Sequence, residues 1–507
     1  MTRGFSTIEL LIAFAIMLLV LPPLLVLAFG GQTGTLDVTL GNGGVTHVAT
    51  QIRDAVASTT AHWNGTPLPW ASAFYTQNNN VTNISPCVKQ ITATTSWNTE
   101  KLRAQSASAT TYVPSIAEAI ALGGGCDPFP PAEWDNPENP SGWNTSPGQI
   151  DGIQTGLDVA TINGVPYAFI VTKNNSQKDD FWTINVANPA SPTVLASGHL
   201  ETGDASHING LNAIDVVTTS AGAYAYVLQN SNTDQLQTIN VSTPTAPVLT
   251  STISLDAYGV AATSTTNIDP EGRVTYYHNG RLYIGLHTTI GPELLVFDVS
   301  TTPANPSYVG AINQAFNHSI NDIVVRGNYA YLATGYDSRE LMIVDVSTSN
   351  PVDTGYGFNA NLSGTDTEDA TTLTLVGDNL YMGRERVNNP NENDVYALSI
   401  ASPLNPSVIK SARLGIDTNT GFASTSRVLD VAVQGKLAFL ATTDSNKPFI
   451  VWDVMSSSTA IVPLSTCNWV NLTKLVALVY KDNLLYGVHD DPAVLSIMRD
   501  QPSACTP

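Results

Sequence analysis

The chain has 507 residues, too many for one ordinary domain and enough for a small module plus a large all-β one. Only 12% of residues are charged, and Asp and Glu outnumber Lys and Arg 42 to 21, so the net charge of −21 argues against nucleic acid and anionic lipid surfaces as partners. Abundant Gly, Pro, Ser, Thr and Asn favour short strands and turns over long surface helices.

Residues 1–32 read MTRGFSTIELLIAFAIMLLVLPPLLVLAFGGQ. Leu10 to Phe29 carry no charge, and twenty apolar residues at about 1.5 Å rise span a bilayer core of about 30 Å. The run is longer than the apolar core of an ordinary secretory signal. Glu9 stands at its start, and a carboxylate there is costly to bury. Pro22 and Pro23 would loosen or kink the helix mid-span.

The run Gly4-Phe5-Ser6-Thr7-Ile8-Glu9 resembles the prepilin signal of type IV pilins and pseudopilins. The resemblance covers about 30 residues. It implies cleavage by a prepilin peptidase between Gly4 and Phe5, N-methylation of Phe5, and an assembly role for Glu9, the fifth mature residue. It further implies other pilin subunits as partners through the N-terminal helix. The chain would sit in the cytoplasmic membrane by a single span before assembly, then outside the cell as part of a pilus.

After the span, Gly30-Gly31, Gly41, Gly43 and Gly44 interrupt the helix that pilins usually continue outward. Val45, Val48, Ile52 and Val56 allow an amphipathic helix over 45–62. Residues 63–150 show no legible fold, and Trp134, Pro137, Pro140 and Trp143 read as loop. The four cysteines form two sequence-local pairs without CxxC spacing, which points to disulfides Cys87–Cys126 and Cys467–Cys505 in an exported chain.

Residues 151–507 carry an internal repeat. Each unit holds an apolar strand ending in a turn residue. Those residues are Asn185, Asn240, Asp298, Asp345, Ser399, Asp453 and Ser496, stepping by 55, 58, 47, 54, 54 and 43. A second strand precedes each and carries a recurrent aromatic such as Tyr226, Tyr331 or Phe439, expected to pack between repeats. A period near 50 built of strands and Asx or Gly turns predicts a radial array of four-stranded blades. Leu341–Ser347 resembles the LVIVD repeat, a family read as a β-propeller. The last unit is short and lacks an outer strand of its own, and residues around 145–160 are expected to supply it.

The fold class is therefore mainly β: leader 1–4, a transmembrane pilin-like α-helix at 5–30, a helical and disulfide-pinned connector at 31–150, and a seven-bladed β-propeller at 151–507. No GxSxG, HExxH or P-loop occurs, so no catalytic residue, no enzyme activity and no cofactor are expected. Candidate ligand residues lie in loops before the blades: His207, His318, Asp322, Glu368 and Asp369, with metal binding open and turn capping as the plainer role. The expected function is a minor or tip pilin whose head binds an extracellular protein or glycan. The alternatives are a pseudopilin-like component of a secretion or DNA-uptake system and a membrane-tethered propeller enzyme.

Overall fold

The computed structural model describes residues 48–50, 76–85, 88–98, 104–114 and 137–138. From 153 to 500 it describes all but the loop stretches 174–178, 190, 203–209, 230–234, 261–271, 288–289, 314–317, 361–368, 386–392, 414–426, 435–436, 444–448, 455–461, 468–474, 483 and 490–494. Gly4, Phe5, Glu9, the expected span 5–30, Cys87, Cys126 and Cys505 lie outside the described residues, and Cys467 is described only as strand backbone. Among the described residues no helix is long and apolar enough to cross a membrane, and both expected disulfides fall on cysteines whose side chains lie outside the described residues. Of the amphipathic stretch 45–62, residues 48–50 are described and are helical.

The chain divides into two compact units. The first contains an antiparallel meander of Thr76–Ser85, Val88–Asn98 and Ala104–Pro114. Within the connector expected to be helical, these residues are strands, formed where the sequence shows no legible fold. Strand alternation buries Ile91, Ala93, Thr95 and Val113 on one face. On the other face Gln90 donates to the Tyr112 hydroxyl at 3.0 Å, and the Thr92 and Thr110 hydroxyls meet at 3.1 Å.

The second unit holds seven four-stranded antiparallel sheets. Their inner strands are Ile153–Ile162, Leu211–Thr219, Gly272–His278, Ile320–Arg326, Ala370–Val376, Val428–Gln434 and Leu475–Lys481. Each inner strand touches the next, and Leu475–Lys481 returns to Ile153–Ile162, closing a seven-bladed propeller. Blades are numbered one to seven in that order.

Six blades use consecutive strands; blade seven takes its outermost strand from Pro137–Glu138, which pairs with Arg499 and Asp500. Ring closure by a borrowed N-terminal strand was expected, but from 145–160. Residues 153–162 instead form the innermost strand of blade one, and Pro137, read as loop, is an edge residue. Proline fits there because an edge strand need not donate every backbone N–H.

The apolar pattern follows position within a blade. Third strands such as Leu341–Asp345 are buried along nearly their whole length, because neighbouring blades cover both faces. Outermost strands such as Val248–Ile253 alternate exposed and half-buried positions. The core is accordingly a set of seven slabs between consecutive blades, one of them joining Trp182 and Ile184 of blade one to Tyr486 and Ile497 of blade seven. Each fully buried Leu, Ile, Val or Phe contributes about 1.5–3 kcal/mol.

The recurrent aromatics do lock blades together. The buried Tyr226 hydroxyl donates to the Pro303 carbonyl at 3.0 Å in the next blade, and Tyr331 does the same to Pro403 at 3.3 Å. The strand-end residues cap turns as expected. Asn185, Asn240, Asp298 and Asp345 each accept the backbone N–H two residues on, at 2.8–2.9 Å. Asn163-Gly164 and Asn279-Gly280 join first to second strands with both residues at positive φ, the backbone that a two-residue hairpin demands.

Candidate functional site

The seven inner strands share a departure from regular pairing. Each has a β-bulge one residue beyond its second-strand register, at Thr155, Asn212, Arg273, Asn321 and Thr371 in blades one to five. In blades six and seven the bulged residues are Leu429 and Val476. A bulge bends its strand and re-aims a side chain. All seven residues line one cavity of about 240 Å³ on the propeller axis, at the end where the inner strands begin. At the bulges the wall is polar in blades one to five and apolar in six and seven, and the carboxylates of Asp322 and Asp430 line it as well.

Next to this cavity every blade junction carries a side-chain tie. Asp158 accepts the Val216 N–H at 2.6 Å, Asp215 accepts that of Tyr277, Asp322 that of Leu373 at 2.6 Å, and Asp430 that of Leu478 at 2.7 Å. Tyr276 bonds to the Val325 backbone, the Thr374 hydroxyl donates to the Val431 carbonyl, and Lys481 donates to the Val159 carbonyl at 2.8 Å. Thr372 places its hydroxyl between Asp322 at 3.2 Å and Asp430 at 3.0 Å.

Burial raises the pKa of these carboxylates, because the protein around the axis disfavours their charge. Asp158 is pushed up to about 6 against the pull of its two backbone N–H donors and Lys481. Asp215 rises to about 7 through burial and the nearby Asp158 charge. Asp322 rises to about 7 through burial and then the Asp430 charge, against its N–H donors, and Asp430 is itself raised by burial.

Of the sequence candidates, Asp322 reaches the axis, but from an inner strand rather than a loop. Asp369 lies just before the inner strand of blade five. Burial and then the charges of Glu385 and Asp337 push it to about 6, while Arg273 and Arg384 pull it down. Glu385 is paired with Arg427 at 2.9 Å. His318 is held against the Tyr336 ring, centroids 4.9 Å apart. His207 and Glu368 lie outside the described residues. Among the described residues no group of three His, Cys, Asp or Glu is placed to hold a metal ion.

Sequence reasoning missed Asp158, Asp215 and Asp430, and also Arg273 and Thr275, while Asn212 ends the blade-entry stretch that begins at His207. A signal for the acids exists: Leu157-Asp158-Val159, Ile214-Asp215-Val216 and Leu429-Asp430-Val431 each interrupt an apolar strand with a lone carboxylate.

Comparison with known proteins agrees with this architecture. The LVIVD repeat family model matches residues 319–354, which fall on blade four. No curated protein matches the chain. The periplasmic gluconolactonase of Pseudomonas aeruginosa is similar with a TM-score of 0.50 at 10% identity, over 70% of this chain and 98% of that one. Raptor of Chaetomium thermophilum is similar with a TM-score of 0.50 at 9% identity, over 78% of this chain and 32% of that one. At such identities the likeness is one of fold: a β-propeller bearing an LVIVD repeat.

Proposed function

We propose that this chain is a type IV pilin-like protein that displays its propeller outside the cytoplasmic membrane as a binding head for an extracellular protein or glycan. The N-terminal reading rests on Gly4, Phe5 and Glu9 at prepilin spacing before an uncharged run. For the head, the observation that carries the reading is the use of the axial carboxylates. Asp158, Asp215, Asp322 and Asp430 are each engaged by backbone N–H groups of the following blade, so they serve blade assembly rather than proton transfer. The chain also joins the ring at its rim, through Pro137–Glu138.

A minor or tip position follows from size, since seven blades on every subunit would crowd a thin filament. Mass spectrometry of the N-terminal peptide from sheared surface filaments tests the reading. A peptide starting at methylated Phe5, scarce beside a major subunit, is expected. An intact Met1 or Thr2 start in the membrane fraction alone would sink it.

One observation favours a second reading, a tethered enzyme. Asp369 has a pKa near 6 beside Glu385, the range of a general base. One similar fold belongs to a gluconolactonase. Hydrolysis of gluconolactone by the full chain, lost in Asp369→Asn, would favour this reading over the binding head.

A further inference from the structure

The polar bulges do not all behave alike. Thr155 donates to the carbonyl of Leu211, Asn321 to that of Ala370 at 2.7 Å, and Thr371 to that of Val428 at 2.8 Å. In each case the acceptor is the first residue of the next inner strand, so the donor is spent on the ring. Asn212 breaks this pattern: its amide nitrogen and oxygen are both buried with no partner among the described residues. Thr275, on the adjacent wall, is 7% exposed, and its hydroxyl is also buried without a partner among the described residues. Both residues line the axial cavity. A buried polar atom left unpaired is costly and calls for an explanation.

We propose that the axial cavity binds a monosaccharide-sized polyol, with Asn212 and Thr275 as its principal hydrogen-bonding residues. The chemistry of the orphaned atoms selects this class. An amide offers both donor and acceptor, and so does a hydroxyl. An ammonium only donates and a carboxylate only accepts, so neither satisfies the set; sugar hydroxyls do both. Asp322 and Asp430 on the far wall each accept two backbone N–H groups and face the Thr372 hydroxyl, which leaves each about one lone pair for a ligand hydroxyl. Leu429 and Val476 give an apolar sector suited to the C–H face of a pyranose. The cavity, about 240 Å³, holds a small organic molecule rather than one water. This inference rests on the binding-head reading for its purpose, and not on how the chain is anchored.

The test is calorimetric titration of the full chain in detergent with free D-glucose, D-galactose, D-mannose and N-acetylglucosamine, with methylammonium chloride and sodium acetate as opposing probes. One of the sugars is expected to bind at one site per chain. Thr275→Val and Asn212→Leu should each weaken it at least about tenfold. The ligand-free variants should unfold at an unchanged or higher temperature, because each removes an orphaned polar group. A merely structural hydroxyl or amide would instead lower that temperature. Absence of binding by every sugar overturns the inference, as does binding that survives both substitutions or binding of methylammonium or acetate alone. The N-terminal peptide is read separately, so failure of the cavity and failure of the pilin-like reading are distinguishable.

Discussion

The ammonium of Lys481 donates to the carbonyl of Val159 at 2.8 Å, joining residues 322 positions apart. This bond ties the last blade to the first. Lys481 also lowers the pKa of Asp158, which in turn holds blade two. Replacing Lys481 by Met removes a donor from a partly buried carbonyl and a cation from a buried carboxylate. The expected loss is about 1–3 kcal/mol, read as a lower midpoint in thermal or urea unfolding.

Arg384 and Glu340 form an ion pair with both side chains fully buried. Glu340 also accepts the Ala360 N–H at 2.7 Å, and Arg384 donates to the Asn393 carbonyl at 3.2 Å. Arg384→Met or Glu340→Leu alone should each cost about 3–5 kcal/mol, by stranding the other charge. The double substitution should cost less than the sum of the two. A double-mutant cycle from denaturant unfolding measures the difference, and strict additivity would contradict it.

Stability should fall as pH rises from 5 to 8. Asp180, Asp215 and Asp322 are pushed by burial to about 7, and Asp158 and Asp369 to about 6, from an ordinary value of 3.8. In this window the folded state binds more protons than the unfolded chain. The contribution of these groups is therefore full below the ordinary value and lost as pH climbs through 6 and 7. Asp298, Asp345 and Asp353 act the other way, since their pKa values are lowered, but only as pH drops below the ordinary value. Unfolding midpoints across this range check the sign. Asp322→Asn should flatten the slope.

Removal of residues before 139 should weaken the propeller although blades one to six keep all their strands. Blade seven would lose the pairing of Pro137–Glu138 with Arg499 and Asp500. About 1–3 kcal/mol is expected. A chain starting at 129 should unfold at a higher temperature than one starting at 151. Equal midpoints would show that the short strand contributes nothing.

The sequence by itself determined the repeat and the turn chemistry and pointed to seven blades, a count that the closed ring of inner strands settles. Third strands such as Leu294–Asp298 read as unbroken apolar runs because blades cover both their faces, and a single sequence records that burial. The Asx turns are equally local, since Asp298 needs only Ser300 two residues away. Tertiary structure alone decided the closure and the site. Pro137–Glu138 carries no strand pattern, since two residues are too few to show one, and only the open edge of blade seven makes it a strand. The meander at 76–114 was hidden for a related reason: its neutral Thr, Ser and Asn residues resemble loop composition until pairing gathers Ile91, Ala93 and Val113 onto one face. The axial cavity depends on seven bulges separated by whole blades. Asn212 ends the blade-entry stretch that begins at His207, but nothing in the neighbourhood of Thr275 sets it apart from other residues of its strand. Their meaning comes from convergence on an axis, where among the described residues the Asn212 amide and the Thr275 hydroxyl meet no partner, while Thr155, Asn321 and Thr371 reach the next inner strand.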